Sequence, residues 1–124
     1  MDERDHVRNI AIMRMALGGA YVTLPGLAGP TWIGADAATG GARTLARGFG
    51  ARDAILGYGL FQALESGDGT QIRRWLLLGA AADAGDLLGT LGSWRRLPRF
   101  QRTVVAAGIV GFGAFAVWLA GQFD

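Results

Sequence analysis

The stretch TVVAAGIVGFGAFAVWLAGQF, residues 103–123, runs for 21 residues without a charge. Over residues 104–115 every non-glycine side chain is apolar, so a helix built from them has no polar stripe to offer water. About 20 apolar helical residues are what the hydrocarbon core of a bilayer accommodates. A second charge-free run of 21 residues spans positions 15–35. Two apolar but interrupted segments lie between them. Residues 41–64 carry Arg43, Arg47, Arg52 and Asp53, and residues 72–94 carry Arg73, Arg74, Asp83 and Asp86.

Composition agrees with this division. Of 124 residues, 51% are apolar and 18% charged, below the roughly 25% charge of an ordinary soluble domain. The 124 residues suit a single domain, 1–124. Cysteine is absent, which excludes disulfides, thiolate metal sites and thiol catalysis. His6 is the only histidine, so no His-based metal site or Ser–His relay arises within one chain. Every basic residue is Arg, but the formal charge of +2 is too small to argue for nucleic acid. Neither Gly48-x-Gly50 nor Gly57-x-Gly59 has dinucleotide-binding spacing, so no cofactor is implied.

The expected fold is all-α: a four-transmembrane-helix bundle with helices at about 8–28, 42–64, 72–93 and 102–122, sequential ones antiparallel because their connections are short. Pro25 and Gly29-Pro30 end the first helix, residues 65–69 form a polar turn, and Pro98 sits in the last connection. Trp32 reads as an interfacial anchor. Asp2, Glu3 and Asp5 dilute the charged arm before the first apolar run, so a signal peptide is not expected. The address is the cell membrane, multi-pass. Orientation stays open, because the basic loop at 93–102 and the basic N-terminus pull opposite ways. A soluble all-helical bundle is the alternative.

The residues that should not be inside a membrane are the informative ones. An ionisable group at the centre of a spanning helix costs about 2.5–3.5 kcal/mol, so Arg52, Asp53, Asp83 and Asp86 facing lipid would cost on the order of 10 kcal/mol. They must turn inward and pair. At 1.5 Å per residue, Asp53 and Asp83 each lie roughly 17 Å from the ends of their helices at the shared turn, and Asp86 roughly 21 Å. Asp83 and Asp86, three apart, share a face with Gly79 and Thr90, which leaves room for a guanidinium. Arg47, about 8 Å beyond Arg52, approaches from one side, and Tyr21 offers a hydroxyl at similar depth. Arg14, near the start of the first helix, reads as a snorkelling anchor in solvent. The glycines Gly18-Gly19, Gly57, Gly59, Gly108, Gly111 and Gly113 read as helix-packing surfaces.

The motifs Arg47-Gly48-Phe49-Gly50-Ala51-Arg52-Asp53, followed by Leu56-Gly57, and Ala82-Asp83-Ala84-Gly85-Asp86 carry a resemblance. The chain resembles the small uncharacterised four-helix bacterial integral membrane proteins of the domain-of-unknown-function type, with DoxX-like architecture. Those proteins tend to carry Gly-x-Arg-Asp on the second helix and an Asp on the third, which Arg52, Asp53 and either Asp83 or Asp86 match. The resemblance implies a membrane four-helix bundle and brings no reaction.

The functional expectation is an intramembrane Arg/Asp cluster of Arg47, Arg52, Asp53, Asp83, Asp86 and Tyr21 that binds a polar or amphipathic small ligand. Membrane lipids surround it, and a homo-oligomer or a larger membrane complex is a fitting context. One alternative is an intramembrane enzyme acting on a lipid or isoprenoid, with Asp83 or Asp86 as general acid. The other is a structural accessory subunit in which the cluster only staples helices together.

Overall fold

A computed structural model describes residues 1–124. The chain is helical throughout and contains no strand. Helix α1, Glu3–Thr23, starts on a reciprocal cap: Asp2 accepts the Asp5 N–H at 2.9 Å, and Asp5 accepts the Asp2 N–H at 3.2 Å. It stops at Leu24 because Pro25 brings no N–H and clashes with a continuing helix. The chain then bends by 106° into a segment at Pro25–Ala38. That segment holds the single turns α2, Pro25–Ala28, and α3, Pro30–Ile33, followed by a 3₁₀ turn at Gly34–Ala38.

Helix α4, Gly40–Ser66, is capped by Thr39, whose hydroxyl accepts the Ala42 N–H at 3.1 Å. It ends at Gly67, whose φ of 74° is open to glycine at little cost. Helix α5, Gly69–Gly92, is capped by Asp68, which accepts from the Thr70 and Gln71 N–H groups. Helix α6, Arg99–Ala120, follows Pro98.

The last three long helices fall within three residues of their expected ends. Helix α1 does not: it begins and ends five residues earlier than the expected 8–28. The early cap and the Pro25 stop fix both ends.

The long helices run up and down in sequence order. On α1, Ala11 and Arg14 face Gly57, whereas Tyr21 and Val22 face Gly50, so α1 and α4 are antiparallel. A Cβ at Gly50 would fall 2.8 Å from both the Tyr21 Cβ and the Val22 N, so the two backbones touch only because no side chain intervenes. Helix α6 packs on α5, and α4 joins α5. Helices α1 and α6 meet through side chains, His6 on Phe115 and Arg14 on Phe112, while their backbones stay apart, so the bundle is open beside these contacts.

Apolar packing fills one end. Val7, Ile10, Leu60, Leu64, Ile72, Leu76 and Leu119 form a continuous cluster at the end bearing the Gly67–Asp68 turn. The outside is apolar as well: Ile12, Leu17, Ile55, Leu78, Leu88 and Val110 are exposed, while Arg14, Asp53, Asp83 and Thr90 are buried. Helix α6 alone is long and apolar enough to cross a membrane, and only 17% of its most apolar window is buried within the bundle. Helix α1 with its bent continuation is a broken pair that passes the same test.

Candidate functional site

Above the apolar cluster the bundle centre is ionic. Arg14 stands near the middle of α1 and is 5% exposed. Its Nη1 donates to Asp53 Oδ1 at 2.6 Å and to Asp83 Oδ1 at 3.2 Å, and its Nη2 donates to Asp83 Oδ2 at 2.7 Å. The planar fork of the guanidinium suits this two-carboxylate grip. Its Cζ lies 5.1 Å from the Phe112 ring centroid, so α6 closes over the cation without adding a charge.

A second pair lies beside the first. Arg52 Nη2 donates to Asp86 Oδ2 at 2.6 Å, and Arg52 Cζ lies 4.9 Å over Phe49. Asp53 and Asp83, and likewise Arg52 and Asp86, thus meet at one height, as uniform helix rise required. The expected room beside Gly79 is occupied, but by Arg14.

Three expectations need correction. Arg14 is no solvated anchor: with α1 starting at Glu3, it moves from the first turns to mid-helix and becomes the hub of the cluster. Its signal was the Asp2-x-x-Asp5 cap, which sets where the helix begins. Arg47 does not join the cluster; its Nε donates to Val22 O at 3.2 Å and satisfies a free carbonyl in the last turn of α1. Tyr21 is buried beside the cluster, yet its hydroxyl pairs with Thr31 Oγ1 at 3.3 Å rather than with a carboxylate.

The bent segment roofs the site. Trp32 Nε1 donates to Thr90 Oγ1 at 3.1 Å, and Thr90 donates to Asp86 O at 2.8 Å. Trp32 and Tyr21 both meet Phe49 edge-on, with centroids 4.9 and 4.8 Å away. Trp32 thus packs over the ionic layer. Of the glycines read as packing surfaces, Gly18, Gly57 and Gly59 meet neighbouring helices closely, whereas a Cβ at Gly19, Gly108 or Gly111 would meet nothing within 4 Å.

Beneath this roof lies a cavity of about 380 Å³. Arg14, Asp53, Asp83 and Asp86 form its polar end. Met13 and Leu17 of α1 and Val105, Gly108 and Ile109 of α6 form its apolar walls, so it lies along the open side between those helices. Not every oxygen at the polar end is engaged. Asp53 is 2% exposed, and its Oδ2 has no hydrogen-bond partner. Asp86 reaches Arg52 through Oδ2 alone. The three carboxylates do not converge as a metal cage would require: Arg14 lies between Asp53 and Asp83, and Asp86 is paired with Arg52.

The chain matches no protein-family model, no curated protein and no solved structure. Its class therefore rests on its own geometry: an all-helical bundle with a buried Arg–Asp network beside an apolar cavity.

Proposed function

We propose that the chain is a multi-pass protein of the cell membrane, with α1, α4, α5 and α6 as its four spans, and that its inward Arg–Asp cluster binds a small amphipathic ligand. The distribution of side chains supports the membrane assignment. Arg14, Asp53 and Asp83 are buried while Ile12, Leu17, Ile55, Leu78, Leu88 and Val110 are exposed, an arrangement that hydrocarbon permits and water does not favour. At 1.5 Å per residue, even the shortest of these helices, α1 with 21 residues, is about 31 Å long, enough for the hydrocarbon core.

The observation that carries ligand binding is the cavity itself. It joins a charged end to apolar walls and lies where α1 and α6 part, facing the surrounding lipid in this reading. A pure staple would pair every carboxylate oxygen and leave no space beside it; Asp53 Oδ2 and the adjoining cavity count against that. Such a cavity falls in the lower part of the roughly 300–1,000 Å³ range of small-molecule sites.

Native mass spectrometry of the full chain extracted in mild detergent tests this. The expected result is a retained adduct of lipid-like mass that disappears in Gly108→Phe, which fills the cavity from a position where a Cβ meets nothing within 4 Å. Protein that carries no adduct after extraction and after incubation with total membrane lipid would overturn the proposal.

A further inference from the structure

The chemistry of the occupant follows from the charge count at the cavity's polar end. Arg14 and Arg52 bring two positive charges to Asp53, Asp83 and Asp86. No further cation compensates the third carboxylate. The α6 wall is Val105, Gly108, Ile109 and Phe112, and Arg47, the next Arg along α4, is turned to the Val22 carbonyl. With all three carboxylates ionised, the cluster carries one negative charge more than its cations neutralise. An uncompensated carboxylate in a low-dielectric interior is costly, and a bound cation removes that cost.

The unused hydrogen-bonding capacity points the same way. Asp53 Oδ2 is an acceptor buried without a partner and calls for a donor, and Asp86 Oδ1 accepts from no protein group. The guanidinium nitrogens Nη1 and Nη2 of Arg14 are already committed to carboxylates, and Arg52, whose Nε is buried without a partner, does not line the cavity, so little donor capacity faces an anionic head group there. Trp32, Tyr21 and Phe49 line the same end with aromatic rings, which attract an ammonium group.

Resting on the reading of this cavity as a ligand site, we infer that its occupant is a lipophilic ammonium: a protonated primary amine on an apolar chain. The head lies at the polar end beside Asp53 and Asp86, whose carboxylates keep an unengaged oxygen, and the chain leaves between Leu17 and Ile109. Carboxylate- and phosphate-headed amphiphiles are repelled. A neutral alcohol satisfies an acceptor but leaves the charge unbalanced.

Calorimetric titration of the full chain in lipid nanodiscs, with dodecylamine, dodecanol and dodecanoate as probes, tests the inference. Dodecylamine is expected to bind at least about tenfold more tightly than dodecanol, a difference of about 1.4 kcal/mol, and dodecanoate not to bind above its partition into empty nanodiscs. Asp53→Asn, which keeps the shape and removes the charge, is expected to erase the preference for the amine. Should that variant fail to fold, Gly108→Phe serves instead and is expected to abolish amine binding. Equal binding of amine and alcohol to the wild-type chain overturns the charge inference and leaves the ligand site standing. Amine binding unchanged by Gly108→Phe overturns the inference, because the amine is then not in the cavity. If none of the three probes binds, the ligand-site reading falls with it.

Discussion

Gly79 of α5 lies against the guanidinium of Arg14 from α1: a Cβ at Gly79 would stand 2.9 Å from Arg14 Nη2 and 3.2 Å from its Cζ. A long side chain from one helix thus occupies the place of a side chain missing from another. The guanidinium is held there by three hydrogen bonds to Asp53 and Asp83, so it has little freedom to retreat.

Gly79→Ala is therefore expected to destabilise the bundle by about 1–3 kcal/mol through overpacking. Gly85→Ala on the same helix, where a Cβ meets nothing within 4 Å, is expected to be neutral or to stabilise by about 0.5–1 kcal/mol from the better helix propensity of Ala. Thermal unfolding of both variants in one detergent compares them directly. Equal shifts would show that the Arg14 contact contributes nothing.

Removing the hub is more severe. Arg14→Leu leaves Asp53 and Asp83 buried without their shared cation and is expected to cost about 3–5 kcal/mol. Arg14→Lys keeps the charge but not the fork and is expected to fall between Leu and the wild type. Circular dichroism melts in detergent report both, and a wild-type melt for Arg14→Leu would sink the idea that this triad holds three helices together.

The membrane arrangement has its own test, made simple by the absence of cysteine. Single cysteines replacing Ser66, at the end of α4, and Ser93, just after α5, are expected to label from opposite sides of sealed vesicles with an impermeant maleimide. Labelling from the same side would refute the four-span arrangement.

Asp2 supplies a pH-dependent element outside the bundle. The backbone N–H of Asp5 that it accepts holds its carboxyl below the ordinary aspartate value of 3.8. Because the folded value is the lower one, the cap's contribution is complete above the unfolded value and fades as pH falls through the folded one. A carboxyl NMR titration is expected to show an Asp2 midpoint below 3.8, and Asp2→Asn is expected to keep the cap while removing its acid sensitivity.

Much of this was legible from residues alone. The 21-residue run at 103–123 became α6, and the turn around Gly67 fixed the depth at which Asp53 meets Asp83. The pairing of Arg52 with Asp86 follows from that common height. Arg14 was missed because a shift of five residues at the start of α1 changes depth by about 7.5 Å, enough to move a residue from an interface to the centre. Arg47 lies outside the cluster because position along one helix does not show the carbonyl that the end of α1 presents to it.

By itself the sequence determined α4, α5 and α6, the order of the helices and the common height of the charges on α4 and α5, since these depend on local hydrogen bonding, capping and a constant rise per residue. Only the tertiary structure decided that Arg14 bridges Asp53 and Asp83, that Trp32 folds over them, and that α1 and α6 part to leave a cavity. Those features depend on how each helix is rotated about its axis. That rotation is set by close contacts such as those at Gly50 and Gly57, between residues far apart in the chain.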